Sequence, residues 1–150
     1  MDEQKLKEFM DNLIIHQVKI GENFKFKPDM ANMPVDLGIA HMMVLKVLSV
    51  REKPPIIADL AKELSISASM MTHIIDKIES AKLIHRTRDE SDRRIVRVEI
   101  TEEGKNLVNK LDAEARERIV LFLKNLNEND QNEFINAMNV LITITNKYKI

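Results

Sequence analysis

Positively charged side chains are concentrated in one short stretch of this sequence. Between residues 82 and 97 there are three anions and six cations, namely Lys82, Arg86, Arg88, Arg93, Arg94 and Arg97. The stretch therefore carries a local charge of +3 in a chain whose formal net charge is -1. Clustered guanidinium and ammonium groups suit contact with DNA phosphates or insertion into a minor groove. A solvated charged face remains the simpler interpretation of the cluster taken alone.

The residues before this cluster have the spacing of two short helices. Ile57, Leu60, Ala61 and Leu64 recur at helical intervals and predict one buried face. Residues 65–67 interrupt that pattern, and Ser67 is a suitable N-cap for a second helix. The buried stripe of the second helix is predicted to comprise Met71, Ile74, Ile75 and Ile78. Its opposite face is polar, which is typical of a DNA-recognition helix, although an ordinary helical hairpin has the same pattern.

The cationic stretch itself has the pattern of a β-hairpin. Residues 83–88 and 94–100 are strand candidates, and Val96, Val98 and Ile100 alternate with polar residues. The polar residues 89–93 lie between the two strands and predict a turn. A helix-turn-helix followed by a hairpin wing predicts a mainly α, α+β winged-helix fold.

These segments resemble the MarR family of winged-helix transcription regulators. The similar runs are LGIAHMMVLKVL, IADLAKELSISASMMTHIIDKIESAKLIHR and DRRIVRVEITEEG. The resemblance is close from Leu37 to Leu111 and extends to the terminal helices only in pattern. Its most specific part is Asp92-Arg93-Arg94, followed by a strand and by Thr101-x-x-Gly104, which is similar to the wing motif of the family. It implies a homodimer that binds a palindromic operator in double-stranded DNA.

The resemblance also implies roles for individual residues. Arg94 would enter the minor groove, Asp92 would orient it, and Arg88 and Arg93 would flank it on phosphates. The second helix would enter the major groove and read bases or phosphates. Its candidate DNA-binding residues are Ser67, Ala68, Ser69, Met70, Thr72, His73 and Lys77.

Three positions depart from the family pattern. Lys82 replaces a glycine that often ends the recognition helix with a positive φ. Ile56 replaces the usual hydroxyl N-cap of the first helix of the helix-turn-helix, so that helix should begin without a side-chain cap. His73 replaces an arginine, which predicts a less cationic and partly pH-sensitive reading of the bases.

Amphipathic segments flank the winged helix on both sides. Residues 1–20 and 102–124 read as helices, Asn127 is a suitable N-cap for a further helix, and residues 21–34 read as a less regular connection. We therefore expect one subunit over residues 1–150, with the winged helix-turn-helix DNA-binding region at 37–100. Residues 1–34 and 101–150 would supply the dimerisation helices. The long helix of residues 102–124 exceeds what a small core needs, which favours an intertwined dimer.

Composition excludes several classes of function. The chain has no cysteine, which excludes disulfides and thiolate metal sites, and its three glycines cannot supply a phosphate loop. No positioned nucleophile is evident, so we expect no enzymatic activity and no cofactor. The four histidines are far apart and predict no metal site. No long apolar run or signal peptide is present, so we expect a cytoplasmic protein with no membrane partner.

A small-molecule effector is a further expected partner. The apolar side chains between Phe24 and Met33 suit an adaptable pocket, for which we name His16, Phe24 and Met42. Such a site would make the protein a ligand-responsive repressor. Two alternatives stay open, a winged-helix protein-interaction module and a metal-sensing regulator. The near-neutral chain favours the former slightly, whereas the Asp92-Arg93-Arg94 wing disfavours it.

Overall fold

The computed structural model describes residues 3–24, 37–89, 92 and 95–148, and over residues 17–24 it describes the backbone alone. The chain forms two compact units. One unit comprises residues 27–113, and the other comprises residues 1–26 with residues 114–150. We describe each unit by itself.

Six helices and two strands make up the described chain. In order they are α1 (Glu3–Phe24), α2 (Ile39–Ser49), α3 (Ile57–Glu63), α4 (Ala68–Ser80), β1 (Ile84–Arg88), β2 (Val96–Ile100), α5 (Glu102–Lys124) and α6 (Glu128–Lys147). The strands are antiparallel, with Ile84 opposite Ile100 and Arg88 opposite Val96. This architecture confirms the predicted mainly α fold with a helix-turn-helix and a hairpin wing.

The core of the unit at residues 27–113 lies beneath the helix-turn-helix and the hairpin. The predicted stripe of α4 is fully internal, since Met71, Ile74, Ile75 and Ile78 are all buried. On α3, Leu60 and Ala61 are buried, and the two flanking stripe residues pack against the same cluster. The remaining buried side chains lie in α2, the hairpin and α5 or just before them: Leu37, Val44, Leu45, Leu48, Leu83, Ile84, Val98, Ile100 and Val108. The periodicities of α3, α4 and β2 therefore identified their core residues correctly, whereas in α2 the expected burial of Met43 is wrong and Leu45 is buried instead.

Side chains cap the helices where the sequence predicts them. The Ser67 hydroxyl accepts a hydrogen bond from the Met70 backbone N–H at 3.3 Å, which fixes the start of α4. Asn127 caps α6 in the same way, accepting from the N–H of Asp130 at 2.9 Å. Helix α3 begins after Ile56, which provides no side-chain cap, as expected.

The junction between α4 and β1 contains a non-glycine residue with left-handed backbone. Lys82 has φ of 61°, and its N–H donates to the carbonyl of Glu79 at 2.8 Å. The carbonyl of Lys82 in turn accepts the hydroxyl of Thr101 at 2.9 Å, which ties the end of the recognition helix to the start of α5. The sequence left open whether Lys82 adopts a left-handed conformation, and the structure shows that it does.

Many of the described apolar side chains in the helices of the second unit are exposed. In α6 no described residue is buried, and Leu141 and Ile142 are each 53% exposed. Helix α1 likewise exposes Phe9 and Ile15. The edge-to-face pair of Phe122 and Phe134, with ring centroids 5.6 Å apart, joins α5 to α6 within this unit.

The predicted end of the first helix is wrong. The sequence indicates an irregular connection from Gly21 onwards, whereas α1 continues to Phe24. A single glycine inside a helix costs only about 1 kcal/mol relative to alanine, so it weakens the helix without ending it. The first proline after Gly21 is Pro28.

Among the described helices, none is both long and apolar enough to span a membrane.

Candidate nucleic-acid interface

The polar face of α4 points away from the core of its unit. Six of the seven candidate residues on this helix are exposed, and the seventh, Lys77, is half-buried. They lie opposite the buried stripe because the helical repeat separates the two faces. The structure therefore brings together on one surface the residues Ser67, Ala68, Ser69, Met70, Thr72, His73 and Lys77.

Two hydroxyl groups on this face already have partners within the helix. The Ser67 oxygen accepts from the backbone, so its hydroxyl proton remains able to donate to a phosphate. Thr72 donates its hydroxyl proton to the carbonyl of Ala68 at 2.9 Å, an i to i−4 bond common for threonine in helices. Thr72 consequently presents a methyl group and an acceptor oxygen, and the expectation that it donates to DNA requires that bond to break.

Arg86 connects the wing to the recognition helix. Its guanidinium donates to Glu79 Oε2 at 2.8 Å and also pairs with Asp76, both on α4. The backbone N–H of the same residue donates to Glu79 Oε1 at 3.2 Å. A planar fork held by two carboxylates restrains orientation as well as distance, so Arg86 fixes strand β1 against α4.

Asp89 and Arg97 form a second connection at the base of the wing turn. The Asp89 carboxylate is only 14% exposed and accepts from Arg97 Nε at 2.6 Å. Arg97 also donates to the carbonyl of Pro54 at 3.1 Å, and the N–H of Val98 donates to the Pro55 carbonyl at 3.0 Å. The wing is thereby held to the segment that precedes α3.

A third group of charges lies where β1 and β2 meet α5. His85 Nε2 is 3.1 Å from Glu99 Oε2 across the strand pair. Lys105 donates to Glu102 at 2.8 Å, and this hydrogen bond, together with the charge of Glu102, raises the pKa of the Lys105 amine. Lys105 and Glu102 are therefore paired with each other, and the His85 ring lies beside the Glu99 carboxylate.

These contacts divide the cations of the hairpin into two classes. Arg86 and Arg97 are held by carboxylates of the protein itself. Lys82 and Arg88 are exposed and form no ion pair with the residues that the structure describes. Arg93 and Arg94 lie outside the described residues. The sequence charge of +3 is therefore distributed unevenly, with part of it neutralised inside the domain.

Sequence reasoning missed both of these wing connections. Arg86 lies 7 and 10 residues from its partners, and Arg97 lies 8 residues from Asp89 and 43 from Pro54. Charge alone gives no signal of such pairing, because the pattern of opposite charges does not say which elements meet. Asp92, which the resemblance pairs with Arg94, is exposed, and its N–H points to Asp89 Oδ1 at 3.4 Å.

The predicted effector residues are described only in part. Met42 is half-buried and packs against the core of the winged-helix unit. His16 is exposed, in the other unit, with Nδ1 2.8 Å from the carbonyl of Asn12. The side chain of Phe24 lies outside the described residues. The effector site therefore stays a prediction. Across the described residues, no three His, Asp or Glu side chains are grouped as metal ligands would be.

Comparison with known proteins identifies the same region. Residues 38–96 match the model of the MarR family. The HTH-type transcriptional regulator YpoP of Bacillus subtilis is 33% identical over 73 residues, which cover 49% of this chain and 51% of that protein. This chain spans about half the length of the curated relatives it matches.

Solved structures share the fold over most of the chain. The transcriptional regulator BldR of Sulfolobus solfataricus is 26% identical, with a TM-score of 0.61 over 95% of this chain and 99% of that one. FabT of Streptococcus pneumoniae, solved in complex with DNA, is 18% identical, with a TM-score of 0.64 over 97% and 99%. These findings show that residues 38–96 match the MarR family and that the chain shares the fold of these solved structures.

Proposed function

We propose that this protein is a DNA-binding transcription regulator that acts as a homodimer. The observation that carries the proposal is the exposed polar face of α4, held beside a cationic wing by Arg86. A helix of this kind fits the major groove, and a basic hairpin fits the adjacent minor groove. FabT, which shares this fold, was solved in complex with DNA, and this supports the proposal that the fold binds DNA here as well.

Homodimerisation follows from the apolar faces of the terminal helices. Helices α1 and α6 expose large aliphatic and aromatic side chains that a monomer would leave in water. Burial of such surface contributes about 25 cal/mol per Å², so pairing of two copies through residues 1–34 and 101–150 is favoured. Two-fold symmetry then requires a palindromic operator, with half-sites roughly 34–36 Å apart.

In this complex the basic residues contact the DNA backbone and the minor groove. Arg94 enters the minor groove, which is more attractive where A·T tracts narrow it, and Asp92 orients that side chain. Arg88, Arg93 and Lys77 contact phosphates. Because each neutralised phosphate releases counterions, affinity should fall steeply with salt.

Regulation is proposed to be repression relieved by a small molecule. A ligand near His16, Phe24 and Met42 would favour a conformation whose recognition helices no longer match the operator. The affinity for DNA would then fall by the coupling free energy, typically about 1–3 kcal/mol. The same spacing of recognition helices with and without a releasing ligand would refute this part of the proposal.

The test measures DNA binding by the protein with fluorescence anisotropy at two salt concentrations. The two duplexes are the DNA upstream of the gene for this protein and a scrambled sequence. We expect tighter binding to the upstream DNA, a steep salt dependence, and uniform weakening by Arg94→Ala. Lys110→Ala is the matched control, since it removes an exposed cation of α5 outside the wing. If neither the salt dependence nor the Arg94 effect appears, the winged helix serves a protein partner instead.

A further inference from the structure

We infer that α4 recognises its half-site chiefly through thymine methyl groups, contacted by Ala68, Met70 and Thr72. This inference rests on the proposed function and adds the chemical class of base that the helix selects. It follows from the side chains that the exposed face of α4 presents, and from the ion pairs and hydrogen bonds within the protein that already occupy some of them.

The exposed N-terminal part of α4 lacks the side chains that read purines by paired hydrogen bonds. Arginine or lysine reads guanine in this way, and asparagine or glutamine reads adenine. The α4 sequence ASMMTHIIDKIES contains no arginine, asparagine or glutamine, and its one lysine, Lys77, is half-buried in the last turn and is proposed to contact a phosphate. The discrimination of roughly 1–3 kcal/mol that a bidentate pair supplies is therefore absent from the N-terminal part of this helix.

The acidic residues of α4 are also engaged elsewhere. A carboxylate could accept a hydrogen bond from the amino group of cytosine. Asp76 and Glu79, however, both bind the guanidinium of Arg86 from the wing. Reading of cytosine through either carboxylate would require that connection to break.

The exposed N-terminal part of α4 carries apolar groups beside its polar ones. Met70 is 55% exposed, although methionine is usually an interior residue. Ala68 and Thr72 are one turn apart and form the opposite edge of the face, with Ser69 and His73 between the edges. Thr72 donates its hydroxyl proton to the Ala68 carbonyl. The group that Thr72 offers to the DNA is therefore its methyl group, which suits an apolar contact.

Apolar side chains in the major groove select thymine, whose C5 methyl no other base carries. Ser69 and His73 each supply single hydrogen bonds, which serine makes with any base. We therefore expect the half-site to contain thymines at the positions facing the two apolar edges. Recognition of this kind is compatible with A·T tracts that favour the wing arginine.

The test removes methyl groups without changing hydrogen bonds. A random-sequence selection with the full chain first gives the operator. Each thymine of one half-site is then replaced by deoxyuridine, and binding is measured by anisotropy. We expect about fourfold weaker binding at each contacted thymine, from the loss of one buried methyl, and no change at the others.

Protein variants assign each methyl contact to a residue. Thr72→Ser removes one methyl group and keeps the hydroxyl, so it should abolish the deoxyuridine penalty at one thymine. Met70→Ala should abolish the penalty at a different thymine. Met43→Ala, an exposed methionine of α2, is the control and should leave every penalty intact.

The outcomes separate this inference from the function on which it rests. A selected operator that binds equally well with deoxyuridine throughout would overturn the inference, leaving DNA shape and the wing as the source of specificity. Penalties that persist in both variants would overturn it as well. A selection that enriches no sequence would instead contradict the proposed function itself.

Discussion

Replacement of Lys82 by glycine should stabilise the protein, because this residue holds a backbone conformation that suits glycine. With φ of 61°, Lys82 lies in the left-handed region between α4 and β1. Its two backbone hydrogen bonds, from its N–H to the Glu79 carbonyl and from the Thr101 hydroxyl to its carbonyl, involve no side-chain atom of Lys82. The Lys82→Gly variant therefore retains both bonds and relieves the contact between Cβ and the backbone.

The expected gain follows from two opposing effects. An L-residue in the left-handed region costs roughly 1–2 kcal/mol. Glycine loses more conformational entropy on folding than other residues, and this loss offsets roughly 0.5–1 kcal/mol of the stabilisation from relieved strain. The free energy of unfolding should thus rise by about 0.5–1 kcal/mol, and Tm by roughly 1–4 °C for a chain of this size.

Denaturant unfolding without DNA, at one fixed protein concentration, measures this change. The fixed concentration matters because dimerisation would make the midpoint depend on it. Lys110→Gly is the control, since that lysine lies inside α5, where glycine should cost about 1 kcal/mol. If Lys82→Gly destabilises the protein as Lys110→Gly does, the reasoning from backbone strain is wrong.

Two further substitutions test the contacts that hold the wing. Gly104→Ala should lower the free energy of unfolding by about 1–3 kcal/mol, because a Cβ at this position would lie 2.2 Å from a backbone oxygen. Gly38→Ala is the control in the same denaturation experiment. It should change the free energy of unfolding little, because the atom nearest to its added Cβ would be 3.7 Å away. Arg86→Lys keeps the charge but loses the planar fork, so anisotropy should show weaker DNA binding while stability falls by less than about 1 kcal/mol. Equal loss of binding in Arg118→Lys, whose ion pair lies within α5, would contradict a specific role for Arg86.

The sequence alone predicts most of the local structure. The buried stripe of α4 and the caps at Ser67 and Asn127 follow from helical periodicity and from hydrogen bonds between near neighbours. The alternation around Val98 likewise predicts the buried side of β2. Such features depend on residues a few positions apart, so a single sequence contains the information. The end of α1 was misplaced because one glycine opposes a helix only weakly.

What only the tertiary structure decided is the use of the charges. The sequence shows six cations near the wing, but not that Arg86 and Arg97 are bound by carboxylates of other segments. It also shows a threonine before α5, but not that the Thr101 hydroxyl donates to the carbonyl of Lys82. A charge or a hydroxyl group has several possible partners at similar energy, and the packing of distant segments determines which partner lies within bonding distance.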